Sequence, residues 1–166
     1  ADLPPDTQGE IVTRSACIMA GYYKMEEVTA QAIDRDGWLH TGDLGVVDAN
    51  GYFKVTGRIK DMIIRGGENI YPRELEEFLF THPKVMNVQV VGVADARYGE
   101  QVLAAIQLKA GMSATAEEFI EFSTGKIARH KIPKYWEFVE DYPMTASGKV
   151  QKYKLKEIYD SKYKAG

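Results

Sequence analysis

Apolar positions recur along this chain in two rhythms. Over residues 85–93 (V-M-N-V-Q-V-V-G-V) and 101–109 (Q-V-L-A-A-I-Q-L-K) apolar and β-branched residues run nearly unbroken, predicting two strands joined by the polar stretch Asp95–Glu100. Leu75, Phe78 and Leu79 follow Pro72 at helical spacing, so a helix with one inward face is expected over 71–81. Thr115-Ala116-Glu117-Glu118 has the spacing of a capping box and opens a second helix carried on by Phe119, Ile120 and Ile127. Residues 135–139 read as a third strand. The tail over 150–163 alternates lysines with Tyr153, Leu155, Ile158 and Tyr159, the pattern of a terminal amphipathic helix.

The first sixty residues are richer in strand and turn signals. Residues 10–14 and 52–56 are β-prone, and Asp48-Ala49-Asn50-Gly51 is a tight hairpin signal before the second of them. Val28, Ala32 and Ile33 sit at roughly helical spacing, and residues 36–45 form an aromatic strand ending in the glycine-flanked Asp43. Met62–Ile64 reads as a buried strand running into Gly66-Gly67. Helices alternating with strands and no internal repeat predict an α+β fold.

Length and charge narrow the function classes. With 166 residues the chain holds one ordinary domain, or a small domain plus a piece of another. Net charge is -3 with scattered basic residues, which argues against nucleic acid as a partner. Cys17 is the single cysteine, so no intrachain disulfide or thiolate cluster can form. No apolar run is long enough to cross a bilayer and no stable membrane anchor is expected, so the cytoplasm is the expected compartment. The opening Ala1-Asp2-Leu3-Pro4-Pro5 lacks a methionine, which leaves room for an upstream portion and any targeting signal on it.

Candidate chemistry concentrates in three places. Gly66-Gly67 lets the backbone adopt positive φ or lie close to a ligand, although a glycine pair by itself describes a hairpin turn equally well. Asp43, read as a turn aspartate between strands, can accept two hydrogen bonds at once, as a vicinal diol requires. Lys149 follows a Ser-Gly turn in Pro143-Met144-Thr145-Ala146-Ser147-Gly148-Lys149 and is expected to project from a flexible loop. Thr124-Gly125-Lys126 lacks the upstream glycine of a phosphate loop. His40, His82 and His130 are far apart in sequence with no paired carboxylate, and no metal site is expected.

Taken together these stretches resemble the AMP-forming acyl-CoA synthetases of the adenylate-forming superfamily. G-R-I-K-D-M-I-I-R-G-G-E-N-I-Y-P-R-E-L-E over 57–76, T-G-D-L around Asp43, and P-M-T-A-S-G-K ending at Lys149 carry the resemblance, which covers the whole chain but only the last third of the family's length. It implies residues 1–59 as the β-rich end of a large N-terminal domain and residues 60–166 as a small mobile C-terminal domain with a mixed sheet flanked by helices, hinged at Lys60. It implies that Asp43 and Arg58 contact the ATP ribose and that Lys149 is catalytic. It further implies that Arg65, Gly66, Gly67, Glu68 and Asn69 line the path of the CoA pantetheine. ATP, CoA and Mg2+ carried on the ATP phosphates would be the cofactors, and a fatty acid would be the substrate, acting together with the absent N-terminal domain. The wording of the C-terminal segment from His130 onward is most similar to medium-chain fatty acyl-CoA ligases. Other adenylating chemistries, on aryl acids, in luciferases or in peptide synthetases, and a non-catalytic CoA- or nucleotide-binding module stay open at this level.

Overall fold

Residues 3–163 are described by the computed structural model and form two units, one running to Lys60 and one beginning at Asp61. Residues 1–2 and 164–166, the outer ends of the two expected domains, lie outside the described residues.

In the first unit, β1 (Gly9–Thr13) is followed by a short helix, α1 (Glu26–Ala32), and by strands β2 (Leu39–Val47) and β3 (Phe53–Arg58). The strands make an antiparallel sheet in the order β1-β2-β3. The β2–β3 turn forms where the hairpin signal places it. The Asp48 carboxylate accepts the amides of Asn50 and Tyr52, both at 2.8 Å, while Gly51 supplies the left-handed residue at φ +84°. Among the described residues of this unit only Gly45 and Gly57 are buried, whereas Val12, Val47, Tyr52 and Phe53 stay exposed. Three strands without a buried apolar face do not make a core of their own. A 3₁₀ turn, Ile59–Asp61, carries the chain across the boundary.

The second unit contains β4 (Ile63–Arg65), β5 (Glu68–Ile70), α2 (Pro72–Phe80), β6 (Val85–Asp95), β7 (Gly99–Leu108), α3 (Ala116–Ser123), β8 (Tyr135–Phe138) and α4 (Lys152–Tyr163). Its five-stranded sheet has the order β5-β4-β7-β6, with β8 added parallel to β7 and every other pairing antiparallel. The architecture is thus α+β with a mixed sheet flanked by helices, as the alternation of patterns predicts. Two details differ. Glu68–Ile70 forms a strand where the sequence suggested a loop, and Ile64 of the supposedly buried β4 is half exposed.

Period-two alternation along β6 and β7 builds a core on each sheet face. Val88, Val90, Val102, Ala104 and Ile106 point to the side covered by Leu75 and Leu79 of α2 and Phe119 of α3. Val91, Val93, Leu103 and Ala105 point to the other, covered by Leu155 and Tyr159 of α4 together with Tyr142. Burying each large aliphatic side chain contributes roughly 1.5–3 kcal/mol, so both faces are needed for a unit of this size.

The helices begin and end for local reasons. Pro72 occupies the first turn of α2, where its missing N–H costs nothing. Thr115 accepts the Glu118 amide at 3.4 Å, but the reciprocal half of the expected capping box gives way to an ion pair between Glu118 and Lys84 at 2.8 Å. Helix α3 stops at Ser123, short of Ile127. Ser123 and Thr124 turn their hydroxyls back on the Phe119 and Ile120 carbonyls, each at 2.7 Å, and Gly125 reverses the chain at φ +78°.

This packing predicts an asymmetric response along one helix. Leu79→Ala, at a fully buried site, is expected to lower stability by about 2–5 kcal/mol, and Phe80→Ala, at an exposed one, by no more than about 0.5 kcal/mol. Denaturant unfolding followed through Trp136, stacked 5.5 Å from Phe119, measures both; equal losses would contradict the burial pattern.

Candidate functional site

In the first unit the antiparallel register sets Asp43 of β2 directly opposite Arg58 of β3. Arg58 Nε donates to Asp43 Oδ1 at 2.7 Å, with the side chains half and one-third exposed. An exposed pair of this kind contributes little to stability, so a ligand can compete for the carboxylate at low cost. Asp43 is not a turn residue as its composition suggested: β2 runs straight through it, and the local distortion is a register shift between Leu44 and Gly45. Gly45 is required there, since a Cβ would meet the Phe53 ring at 2.9 Å and the Lys54 carbonyl at 3.1 Å.

The segment leading to Asp43 is braced by residues that sequence reasoning passed over. Glu10 accepts the Gly42 amide at 3.1 Å through one oxygen and contacts His40 Nδ1 at 2.8 Å through the other. His40 Nε2 lies 3.6 Å from Asp34, so this histidine does have carboxylate partners, contrary to the expectation drawn from sequence distance. The hydrogen bond to the Glu10 carboxylate raises the His40 pKa above its ordinary value, with Asp34 adding to it. Thr41 donates its hydroxyl to the Ile11 carbonyl at 2.8 Å and accepts the Asp43 amide at 3.1 Å. Polar Glu10 and His40 within otherwise β-prone segments were the available signal, but it needs the β1–β2 register to become visible.

Lys60 lies exposed in the 3₁₀ turn at the boundary between the units.

In the second unit, Arg65 to Asn69 is a two-residue hairpin. Ile64 pairs with Asn69 and Arg65 with Glu68, leaving Gly66 and Gly67 at φ +59° and +88° as a turn of the type that follows the twist of its strands. A Cβ on Gly67 would meet nothing within 4 Å, whereas one on Gly66 would lie 3.1 Å from the Tyr98 ring. Gly67 is therefore demanded by backbone conformation, and the space beside it is open.

Lys149 closes a second hairpin, and that loop is tighter than expected. Met144 bridges Val150, the Thr145 amide donates to the Lys149 carbonyl at 2.8 Å, and Gly148 donates back to Thr145 at 2.9 Å. The Thr145 hydroxyl also accepts the Lys149 amide at 3.0 Å. Gly148 at φ +78° permits this closure. The backbone under Lys149 is thus bonded on both sides, while its exposed ammonium has no ion pair or hydrogen bond among the described residues. No group of three His, Cys, Asp or Glu that could hold a metal occurs among the described residues.

Comparison with known proteins adds family context to this geometry. Residues 74–149 match the AMP-binding enzyme C-terminal domain. The chain is 61% identical over 90% of its length to YngI of Bacillus subtilis, which is named provisionally as an acyl-CoA synthetase. It is 54% identical over 92% of its length to the human mitochondrial medium-chain acyl-CoA ligase ACSF2. It spans about a quarter of either relative, 27% and 25%. Among solved structures, ATP-bound MatB from Rhodopseudomonas palustris aligns with 97% of this chain, and 32% of its own, at 37% identity and a TM-score of 0.91.

The His40 contacts carry a pH prediction. A histidine whose folded pKa is raised adds stability that is complete below its unfolded value of about 6.5 and is lost as pH rises through the folded pKa. Stability of the first unit, followed through Trp38, is expected to fall as pH rises across that window, and Glu10→Gln is expected to flatten the dependence. An unchanged profile in the variant would show that the contact does not set it.

Proposed function

The second unit belongs to the AMP-binding enzyme C-terminal domains, and from that premise we propose that this chain is the C-terminal part of an ATP-dependent, AMP-forming fatty acyl-CoA synthetase. The observation that carries the reading is the 61% and 54% identity, extending through both units, to relatives named for acyl-CoA formation. In the parent enzyme a carboxylate attacks the α-phosphorus of ATP and expels pyrophosphate. The CoA thiol then attacks the acyl carbon of the adenylate and expels AMP. A medium-chain fatty acid is the proposed substrate class, in keeping with the ACSF2 name. The acyl pocket and the loop that grips the ATP phosphates belong to the preceding domain in this reading, so the 166-residue chain is inactive alone.

The geometry supports a role for each residue. Asp43 and Arg58 lie side by side on adjacent strands, so a carboxylate acceptor and a guanidinium donor face the same position and suit the two hydroxyls of the ATP ribose. Lys149 presents an ammonium with no partner among the described residues from a hydrogen-bonded turn. Two anions meet in the first half-reaction, and a compact cation offsets their repulsion and the charge that develops on the phosphoryl oxygens. Mg2+ would arrive on the ATP phosphates. Lys60 is the proposed hinge, an exposed side chain that stays hydrated while its backbone rotates. The turn at Gly66 and Gly67, open on the Gly67 side, offers a backbone-lined passage for pantetheine in the second half-reaction. Exposed apolar residues on the first unit's sheet fit its role as the margin of a larger domain. No helix is long and apolar enough to cross a membrane among the described residues, and a cytoplasmic site of action completes the proposal.

Release of AMP by the full-length protein with straight-chain acids tests the class directly. Turnover that requires both a medium-length acid and CoA is expected; turnover without CoA would move the protein to another adenylating chemistry. Lys149→Ala is expected to slow adenylation by about a hundredfold to a thousandfold, the effect of roughly 3–4 kcal/mol, while thioester formation from supplied acyl-adenylate proceeds. Equal loss of both steps would refute the division of labour.

The pantetheine passage is tested by a matched pair at Gly67. Both Gly67→Ala and Gly67→Leu carry the same left-handed backbone strain, and only leucine fills the open space. Selective loss of the CoA step in the leucine variant is expected, and equal behaviour of the two would leave strain as the whole effect.

A further inference from the structure

Arg65 stands at the foot of the Gly66-Gly67 turn, and its guanidinium is directed inward. Nε donates to Gln101 Oε1 at 2.6 Å, and Nη1 donates to the His130 carbonyl at 3.5 Å. The guanidinium carbon lies 4.8 Å from the centre of the Tyr98 ring. Gln101 is only 2% exposed, and a carboxamide buried that deeply needs a partner. Tyr98 holds the turn as well, because its carbonyl accepts the Gly66 amide at 2.8 Å. One side chain therefore ties together four separate places: the β4–β5 hairpin, the β6–β7 connection, the start of β7, and the 3₁₀ turn Arg129–Lys131.

The hairpin needs such a tie. Its strands are three residues each, its turn is two glycines, and its ladder to the rest of the sheet consists of the Arg65–Gly99 pair. A pair of strands this short is marginal in water. Ile64 adds a bond from its amide to Glu100 at 2.8 Å, but that bond fixes the strand and not the turn.

Building on the function proposed above, we infer that Arg65 is a positioning residue, seated in a socket made by Gln101 and Tyr98, that sets the Gly66-Gly67 turn for the thioester step. It acts through shape, not as a cationic contact to CoA. A planar guanidinium can donate from Nε and stack on a ring at once, whereas the ammonium of lysine cannot do both. Charge-preserving replacement consequently separates the two roles.

The experiment uses two readouts on Arg65→Lys, Gln101→Leu, their double variant, and Gln101→Glu, which keeps an acceptor facing Nε. Hydrogen exchange on the present chain reports the turn without reference to activity. Arg65→Lys and Gln101→Leu are each expected to reduce protection of the Gly66 amide by about tenfold or more, the order for losing one hydrogen bond to a charged group, with β6 and β7 unaffected. Gln101→Glu is expected to keep that protection. In the full-length protein the same two variants are expected to raise the KM for CoA with adenylation unchanged, and the double variant to be no worse than either single one. Wild-type protection in Arg65→Lys, or additive losses in the double variant, would overturn the socket. Lost protection with an unaltered thioester step would overturn the turn's part in the reaction while leaving the socket in place.

Discussion

Strand β7 carries Val102, Leu103, Ala104, Ala105 and Ile106 with no exposed surface on either face, and the placement of the second unit's other elements follows from covering it. A strand buried on both sides cannot alternate apolar with polar residues, which is why this stretch reads as a continuous apolar run. Even and odd positions feed different cores. Leu75, Leu79 and Phe119 cover one face, and Leu155 and Tyr159 cover the other. Removing α4 would leave half of β7 against water even though the opposite core was intact. The small alanines at 104 and 105 keep the strand thin enough for helices to approach from both sides.

Covering the faces leaves the edge of the sheet, and carboxylates close it. On β6, Glu76 of α2 accepts the Val90 amide at 2.8 Å and Asp160 of α4 accepts the Ala94 amide at 2.6 Å. Glu76 also holds Lys152 at 2.5 Å, so the two helices on opposite faces meet through one acid at the edge strand. Glu100 serves in the same way, joining Lys156 of α4 to the Ile64 amide of β4. Its carboxylate lies 2.9 Å from where a Cβ on residue 92 would sit, so a side chain there would have to displace the acid from Lys156 and Ile64. These acids satisfy amides that a neighbouring strand would otherwise have claimed. They also anchor α4 immediately after the turn that carries Lys149, so the position of that lysine is inherited from the core through only a few residues.

The two units manage their candidate functional groups differently. In the first, Asp43 and Arg58 sit on a sheet without a core, and local order comes from polar braces: Glu10 on Gly42 and His40, Thr41 on Ile11 and Asp43. In the second, Gly66, Gly67 and Lys149 sit on tight hairpins rooted in a core with nearly fully buried side chains. Braces of exposed charge respond to pH and salt, whereas apolar burial does not. The pair of Asp43 and Arg58, partly exposed on that sheet, accordingly adds little to stability.

Much of this was legible from residue order. The helical spacing of Leu75 and Leu79, the apolar run of β7, the Asp48–Gly51 turn, and the glycines at 66, 67 and 148 each state a local requirement, and local requirements survive without knowledge of distant chain. The three motifs around Asp43, Gly66-Gly67 and Lys149 were visible for the same cause. What could not be read were relations between residues far apart in sequence. The preceding glycine marks Asp43 as a turn residue by sequence, yet pairing with Arg58 draws it into a strand. Residue order shows no carboxylate partner for His40, since Glu10 lies thirty positions away until β1 and β2 align. Arg65 read as part of a ligand loop, and only the tertiary structure turns it toward Gln101 and Tyr98. By itself the sequence determined most of the strands, helices and glycine turns, because backbone sterics and hydrophobic period act within a few residues. Partner choice for the charged side chains was decided by the fold alone, because Coulombic and hydrogen-bonding contacts depend on which distant atoms the sheet register brings within about 3 Å.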